Sequence, residues 1–315
     1  SRWWRRSSKL SNYPEWICIY VESTTTSSSA MLNYKKIKGL IELLRPELPF
    51  AAGICVIIGE IIALGRFPPF PELLLGFIWG FFLSGSAMIL NDVFDVEVDR
   101  VNVPTRPLAS GLISTRTAVV FAIIVTVIGL VASFFIGKLA VLLYVVFWVI
   151  GFSYNWKLKE RGFFGNLFVS SSVAITIILG SIVVGEPWNP AVVIFSTMVF
   201  LFSLGEEIAA DAMDVEGDKK RKVKSIPILI GRKNALYISF SLFAAEIVLS
   251  FLPVILGLFG ISYLVIISLT DIAILFLGAE LLRSQTVKTG LSYIRKLYLG
   301  ALSGMFLSVI STIII

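Results

Sequence analysis

The sequence predicts an all-α, multi-pass membrane protein: nine transmembrane helices, arranged as two four-helix repeats plus a ninth helix around a central cavity. Three observations carry this prediction. The 315 residues are 57% hydrophobic and only 15% charged, with a mean hydropathy of +0.88, whereas a soluble domain holds roughly 25% charged and about 45–50% apolar residues. Runs approaching the roughly 20 apolar residues that span a hydrocarbon core recur nine times along the chain. The basic residues are sorted, 25 of the 27 falling in segments that an alternating topology places on one side.

The runs are centred in 46–64, 72–90, 114–136, 139–154, 163–184, 190–210, 233–257, 260–282 and 291–315. The fourth is the shortest. Compact turns of Gly and Pro type, Gly65 to Pro71 and Gly185 to Pro190, join some spans, and longer charged segments join others. The segment through Arg45 and the loops after the second, fourth, sixth and eighth spans carry the basic residues, and only Arg66 and Lys138 lie opposite. Lys and Arg accumulate on the cytoplasmic side, so the expected topology is N-terminus inside, in the cell membrane. Residues 1–30 stand apart: they begin without Met and run into a Ser/Thr-rich stretch before Met31. They are expected to be a tag, a misassigned start or a leader, with 31–315 forming a single transmembrane domain.

Composition also excludes chemistry. The absence of histidine removes the commonest general base and every His-dependent metal site. Cys18 and Cys55 are too few for a zinc cluster or a disulfide framework. The net charge of +6 describes one membrane face, and a nucleic-acid partner is not expected. Carboxylates, Lys, Arg, Tyr, Ser and Asn remain, together with a metal that takes oxygen ligands.

Charged residues at membrane helices are costly and usually functional. The second span closes on NDVFDVEVD, Asn91 to Asp99, and the sixth on EEIAADAMDVEGD, Glu206 to Asp218. On a helix, 91, 95 and 99 share a face, as do 214 and 218, with 207 and 211 continuing the stripe. The registers match: Asp95 to Asp214 and Asp99 to Asp218 are each 119 residues apart, and Pro107 and Gly111 recur as Pro227 and Gly231. Four spans separate the motifs, the mark of a parallel internal repeat. Packed about a common axis, the two stripes face one another across a cavity. Such oxygen ligands suit Mg²⁺ shared with substrate phosphates, and the set Asn91, Asp92, Asp95, Asp99, Asp211, Asp214 and Asp218 is the candidate metal site. Arg45, Arg106, Lys157, Lys159 and Lys219-Lys220-Arg221-Lys222 stand close in sequence as partners for phosphate oxygens. Glu60, Glu246, Asp271 and Glu280 lie within spans without a motif and stay unassigned, with helix packing as their simplest role.

Over 31–315 the chain resembles the UbiA-type intramembrane prenyltransferases, which carry an NDxxDxxxD motif, here Asn91 to Asp99, and a DxxxD motif, here Asp214 to Asp218. The resemblance implies that these residues bind Mg²⁺ and the diphosphate of an allylic isoprenoid, with Asp95, Asp99, Asp214 and Asp218 central. Arg45 in LLRPE resembles the family's basic residue at the first helix. Tyr154 and Lys159 resemble its Tyr and Lys after the fourth span, with spacing different by one from the quinone-type pattern. Within the family, both motif segments are similar to the archaeal digeranylgeranylglyceryl phosphate synthases. The implied reaction is Mg²⁺-dependent transfer of a geranylgeranyl group from its diphosphate to the hydroxyl of geranylgeranylglyceryl phosphate. The strongly basic tail of the second motif fits a phosphorylated acceptor.

The expected chemistry is ionisation followed by capture. Aromatic side chains stabilise the allylic cation by roughly 0.5–2 kcal/mol, and Tyr154 is the candidate contact, its alternative role being an interfacial belt tyrosine. The expected partners are an isoprenyl diphosphate, a lipid-like acceptor and membrane lipids, with no required protein partner. An aromatic prenyltransferase making a quinone, tocopherol or chlorophyll-type product is the nearest alternative. A secondary transporter is the alternative from another class, although transporters place their acids near the midplane, whereas these clusters fall at helix ends.

Overall fold

The computed structural model describes residues 33–153, 162–221 and 223–314, and every regular element among them is helical. A helix over 33–44, α1, lies ahead of the first span. It is followed by α2 (Glu47–Leu64), α3 (Phe70–Phe94), the short α4 (Val96–Asn102), α5 (Thr115–Ile136), α6 (Lys138–Ser153), α7 (Phe163–Val183) and α8 (Pro190–Met213). The chain continues through the short α9 (Val215–Arg221) and α10 (Ile226–Ile230), then α11 (Arg232–Ser250), a turn α12 (Leu252–Ile255), α13 (Ile261–Arg283) and α14 (Val287–Ile314). Eight of these, α2, α3, α5, α7, α8, α11 with α12, α13 and α14, have the length and apolarity to cross a membrane. Among the described residues α6 is a shorter apolar helix of 16 residues, in the position of the shortest predicted span. The protein is a multi-pass membrane protein.

The repeat is visible in the packing. In the first half α2 packs on α3, α3 on α5 and α5 on α6; in the second, α7 packs on α8, α8 on α11 and α11 on α13. The halves meet where α2 crosses α7, and α14 closes the bundle against α13, α8 and α2. The interior of the α2–α7–α8–α13–α14 region is apolar, built on Ile58, Ile61, Ile177, Phe195 and Tyr263.

The α2–α7 crossing depends on two glycines. A Cβ at Gly59 would strike the backbone carbonyl of Ile177, and one at Gly180 would strike that of Val56. Lipid tails are as apolar as leucine, so helices associate in membranes through close packing, and small residues permit it. The intramembrane polar groups left unassigned by sequence serve packing in two instances. Ser250 Oγ donates to Asp271 Oδ2 at 2.7 Å, joining α11 to α13, and Tyr293 Oη of α14 donates to Glu280 Oε2 of α13 at 3.5 Å.

Substitution of either crossing glycine by valine is expected to abolish the monodisperse folded species on size exclusion in detergent. Gly300→Ala, at a position with nothing within 4 Å of the added carbon, is expected to elute as the parent protein does.

Candidate active site

Each acidic motif lies at the point where a long helix stops, Asn91 and Asp92 within the last turn of α3 and Asp214 just past α8. Asp95 caps the C-terminus of α3 at φ −90°, ψ 1°, and Asp214 caps α8 at φ −113°, ψ 22°. Each is followed at once by a seven-residue helix, α4 or α9. The motifs therefore cross helix breaks and do not ride on one continuous helix. Their common face survives because helical hydrogen bonds bridge the breaks. Asp95 N–H donates to Asn91 O at 3.0 Å and Asp99 N–H to Asp95 O at 2.8 Å. In the second motif Asp214 N–H reaches Asp211 O, a tightened turn, and Asp218 N–H reaches Asp214 O at 2.9 Å. Gly217 leaves room for the Asp214 carboxylate, which a Cβ at this position would displace.

The first motif is laced by arginine. Arg45 joins α1 to α2 with φ 47°, a left-handed conformation unusual for a side-chain-bearing residue and of the kind that costs about 1–3 kcal/mol unless its surroundings hold it. Its guanidinium donates to Asp92 Oδ1 at 2.5 Å. Arg106, in the turn after α4, lies 3.5 Å from the same oxygen and donates to Asp99 Oδ2 at 2.6 Å. Asp92 and Asp99 are buried, at 2% and 6% exposure. Asp92 is thus the anion that gathers two arginines beside the motif.

In the second motif Asp211 accepts from Asn166 Nδ2 at 2.8 Å. Asn166 is buried in the first turn of α7. Asp218 is buried at 5% exposure and Asp214 is exposed. The outward acids of the short helices make surface pairs, Glu97 with Arg100 and Glu216 with Lys219. Tyr154, Lys157 and Lys159 lie outside the described residues, as do the side chains of Lys220 and Arg221.

A cavity of about 940 Å³ runs into the bundle, lined by α2, α3, α6, α7, α8, α11, α13 and α14. Arg45 and Asn91 open onto it from the first-motif side, and Glu206 and Glu207 from α8. Much of the remaining wall is apolar, with Phe147, Trp148, Phe152, Phe168 and Phe202. Sequence reasoning did not single out Asn166, Glu206, Arg295, Tyr298 or these aromatics. The signal for Glu206 lay within the quoted motif, and Arg295 was absorbed into the topological charge count.

Among the described residues no three His, Cys, Asp or Glu side chains converge into a metal site by themselves. The donor set still fits Mg²⁺. All the motif donors are oxygens, and this ion takes one or two carboxylates and completes its shell with water and substrate phosphate.

Apolar helices surround a largely apolar cavity that reaches the arginine-laced first motif through Arg45 and Asn91, while Asp92, Asp95, Asp99, Asp211, Asp214 and Asp218 are not among its lining residues; this is the architecture of an intramembrane enzyme. The UbiA prenyltransferase family matches residues 52–308, and the chain belongs to that family; it is a prenyltransferase. Among its relatives, the digeranylgeranylglyceryl phosphate synthase of Thermococcus kodakarensis is 36% identical over 252 residues, 80% of this chain and 90% of the relative. That of Methanocaldococcus jannaschii is 35% identical, covering 81% and 89%. A solved digeranylgeranylglyceryl phosphate synthase is 32% identical with a TM-score of 0.73, over 89% of this chain and 99% of that one. A UbiA homologue from Archaeoglobus fulgidus, solved bound to GPP and Mg²⁺, shares the fold at 20% identity, with a TM-score of 0.69 over 87% and 99%.

Removing Asp92 leaves two guanidinium groups facing each other without their shared anion. Loss of one partner of a buried pair costs about 3–5 kcal/mol, and partial exposure of both arginines places Asp92→Ala near the lower end. The expected result is a clear drop in the detergent melting temperature, with most of the loss recovered in Asp92→Ala combined with Arg45→Met.

Proposed function

We propose that the chain transfers a geranylgeranyl group from geranylgeranyl diphosphate to the free hydroxyl of geranylgeranylglyceryl phosphate, using Mg²⁺. The observation that carries this is the polarity of the cavity, which has Arg45, Asn91, Glu206, Glu207 and Arg295 on its lining and is apolar and aromatic along much of the remaining wall. That division matches a ligand with a diphosphate head and an isoprenoid tail. The acceptor follows from the name shared by relatives at 33–36% identity.

In this reading Asn91, Asp95, Asp99, Asp214 and Asp218, with Asp92 and Asp211 at the margins, hold the ion. Bound there, Mg²⁺ neutralises the diphosphate and eases its departure. Arg45 and Arg106, positioned by Asp92 and Asp99, supply further cationic hydrogen-bond donors to phosphate oxygens, and Lys157, Lys159, Lys220 and Arg221 are their candidate companions. The C1–O bond breaks with its electron pair on the diphosphate. Phe147, Trp148 and Phe152 exclude water from the allylic cation, and Tyr154 is proposed to face it. The acceptor oxygen then bonds to C1 and releases its proton. Residues 31–315 act as one domain in the cell membrane, with the N-terminus and the motif end in the cytoplasm, where the basic residues cluster.

The test is a reconstituted assay offering labelled geranylgeranyl diphosphate with glyceryl-phosphate and aromatic acceptors in parallel. Transfer to the glyceryl phosphate alone is expected, lost on chelation and restored by Mg²⁺. Asp95→Ala and Asp214→Ala are expected to lose at least 10³-fold while eluting as folded protein. Transfer to the aromatic acceptor alone would place the chain in the aromatic branch of its family.

A further inference from the structure

The polar groups of the first motif are largely spoken for by one another, but a second polar belt inside the cavity is not. Glu206 and Glu207 on α8, and Arg295 and Tyr298 on α14, all line it. None of these four side chains has a hydrogen-bond or ion-pair partner among the described residues.

Their levels coincide. Gly290 of α14 packs against the side chain of Met213, the last residue of α8, and the two helices run antiparallel. From that contact Glu207 lies six residues back along α8 and Arg295 five residues on along α14, depths of about 9 Å and about 7.5 Å at 1.5 Å per residue. Tyr298 is one turn deeper, near Glu206 and Cys55. One belt within a turn of helix therefore offers a guanidinium, a phenol and two carboxylates to whatever fills the cavity. Arg295 is exposed at the edge of the cavity, and Glu206 and Glu207 are half-buried; unpaired charge on the two half-buried carboxylates is costly, and a ligand that offers them a hydrogen-bond donor lowers that cost.

We infer that this belt is the acceptor subsite: Arg295 binds the acceptor's phosphate, and Glu207 takes the proton of its hydroxyl. The inference rests on the transfer reading above. The orientation follows from charge. A phosphate is repelled by the adjacent Glu206 and Glu207 and drawn to Arg295, which leaves the hydroxyl on the carboxylate side. Glu207 also continues the Asp211–Asp214 stripe two turns inward from Asp214, beside the place where C1 parts from the diphosphate. An acceptor-oxygen lone pair forms the new bond to C1, the C1–O(diphosphate) pair leaves with the diphosphate, and the hydroxyl proton passes to the Glu207 carboxylate.

Two acceptors separate the roles, geranylgeranylglyceryl phosphate and the same alcohol without its phosphate. Arg295→Gln is expected to raise the KM of the phosphorylated acceptor at least tenfold, leaving the KM for the prenyl diphosphate and the use of the phosphate-free alcohol as in the parent. Glu207→Gln is expected to lower kcat by about 10²–10⁴-fold, the usual worth of a general base, with acceptor KM little changed. Glu207→Asp is expected to restore part of the kcat. Equal losses on the two acceptors in Arg295→Gln, or a parental kcat in Glu207→Gln, would overturn the assignment. Failure of the parent protein to use the phosphorylated acceptor is read before any variant and counts against the transfer reading itself.

Discussion

The close crossing of α2 and α7 is the contact on which the rest of the bundle depends. The two halves repeat the same chain of neighbours, and what unites them is a backbone-to-backbone approach that only Gly59 and Gly180 permit. In a bilayer such packing replaces the hydrophobic drive that would fuse two half-bundles in water. Once the halves are joined, Arg45 and Asn91 from the first half and Glu206 and Glu207 of α8 open onto one cavity, and α14 closes the remaining side. The cavity is the space the repeat leaves between them.

Charge placement obeys the same economy. Membrane helices tolerate ionised groups where these are paired or solvated, and the first motif shows pairing at work: two arginines share Asp92, and one of them also takes Asp99. The helix breaks at Asp95 and Asp214 turn the following acids into short helices while keeping the i, i+4 face. A straight extension of α3 or α8 would have carried Asp99 or Asp218 further along the same axis. The strained turn at Arg45 fits this arrangement, since its cost is met by a guanidinium held on a buried carboxylate.

Much of this was legible in the sequence. The apolar runs at 46–64, 114–136 and 190–210 correspond to Glu47–Leu64, Thr115–Ile136 and Pro190–Met213, because span length and hydropathy are local properties. The 119-residue offset between motifs reappears as two C-caps followed by two seven-residue helices. The breaks themselves were not visible, since NDVFDVEVD has helical spacing throughout and nothing in its composition stops a helix at Asp95. Neither was the pairing of Arg106 with Asp99 and Asp92, which depends on how the turn after α4 folds back. The helix over 33–44 went unread because its charged, half-apolar sequence lacks a span's signal. Arg295 and Tyr298 were hidden for a different reason: a basic residue near a span end is already explained by topology, and only the packing of α14 on α8 turns it toward the cavity.

The central claim is that both motifs act on one ligand held between the two halves. A double-mutant cycle on metal-dependent binding of a non-hydrolysable geranylgeranyl diphosphate analogue tests it most directly, using Asp95→Asn, Asp214→Asn and the double variant in calorimetry. A shared ligand predicts strong coupling, the double variant binding little worse than either single one. Losses that simply add, or a second motif whose change leaves analogue binding at the parental affinity, would contradict the account.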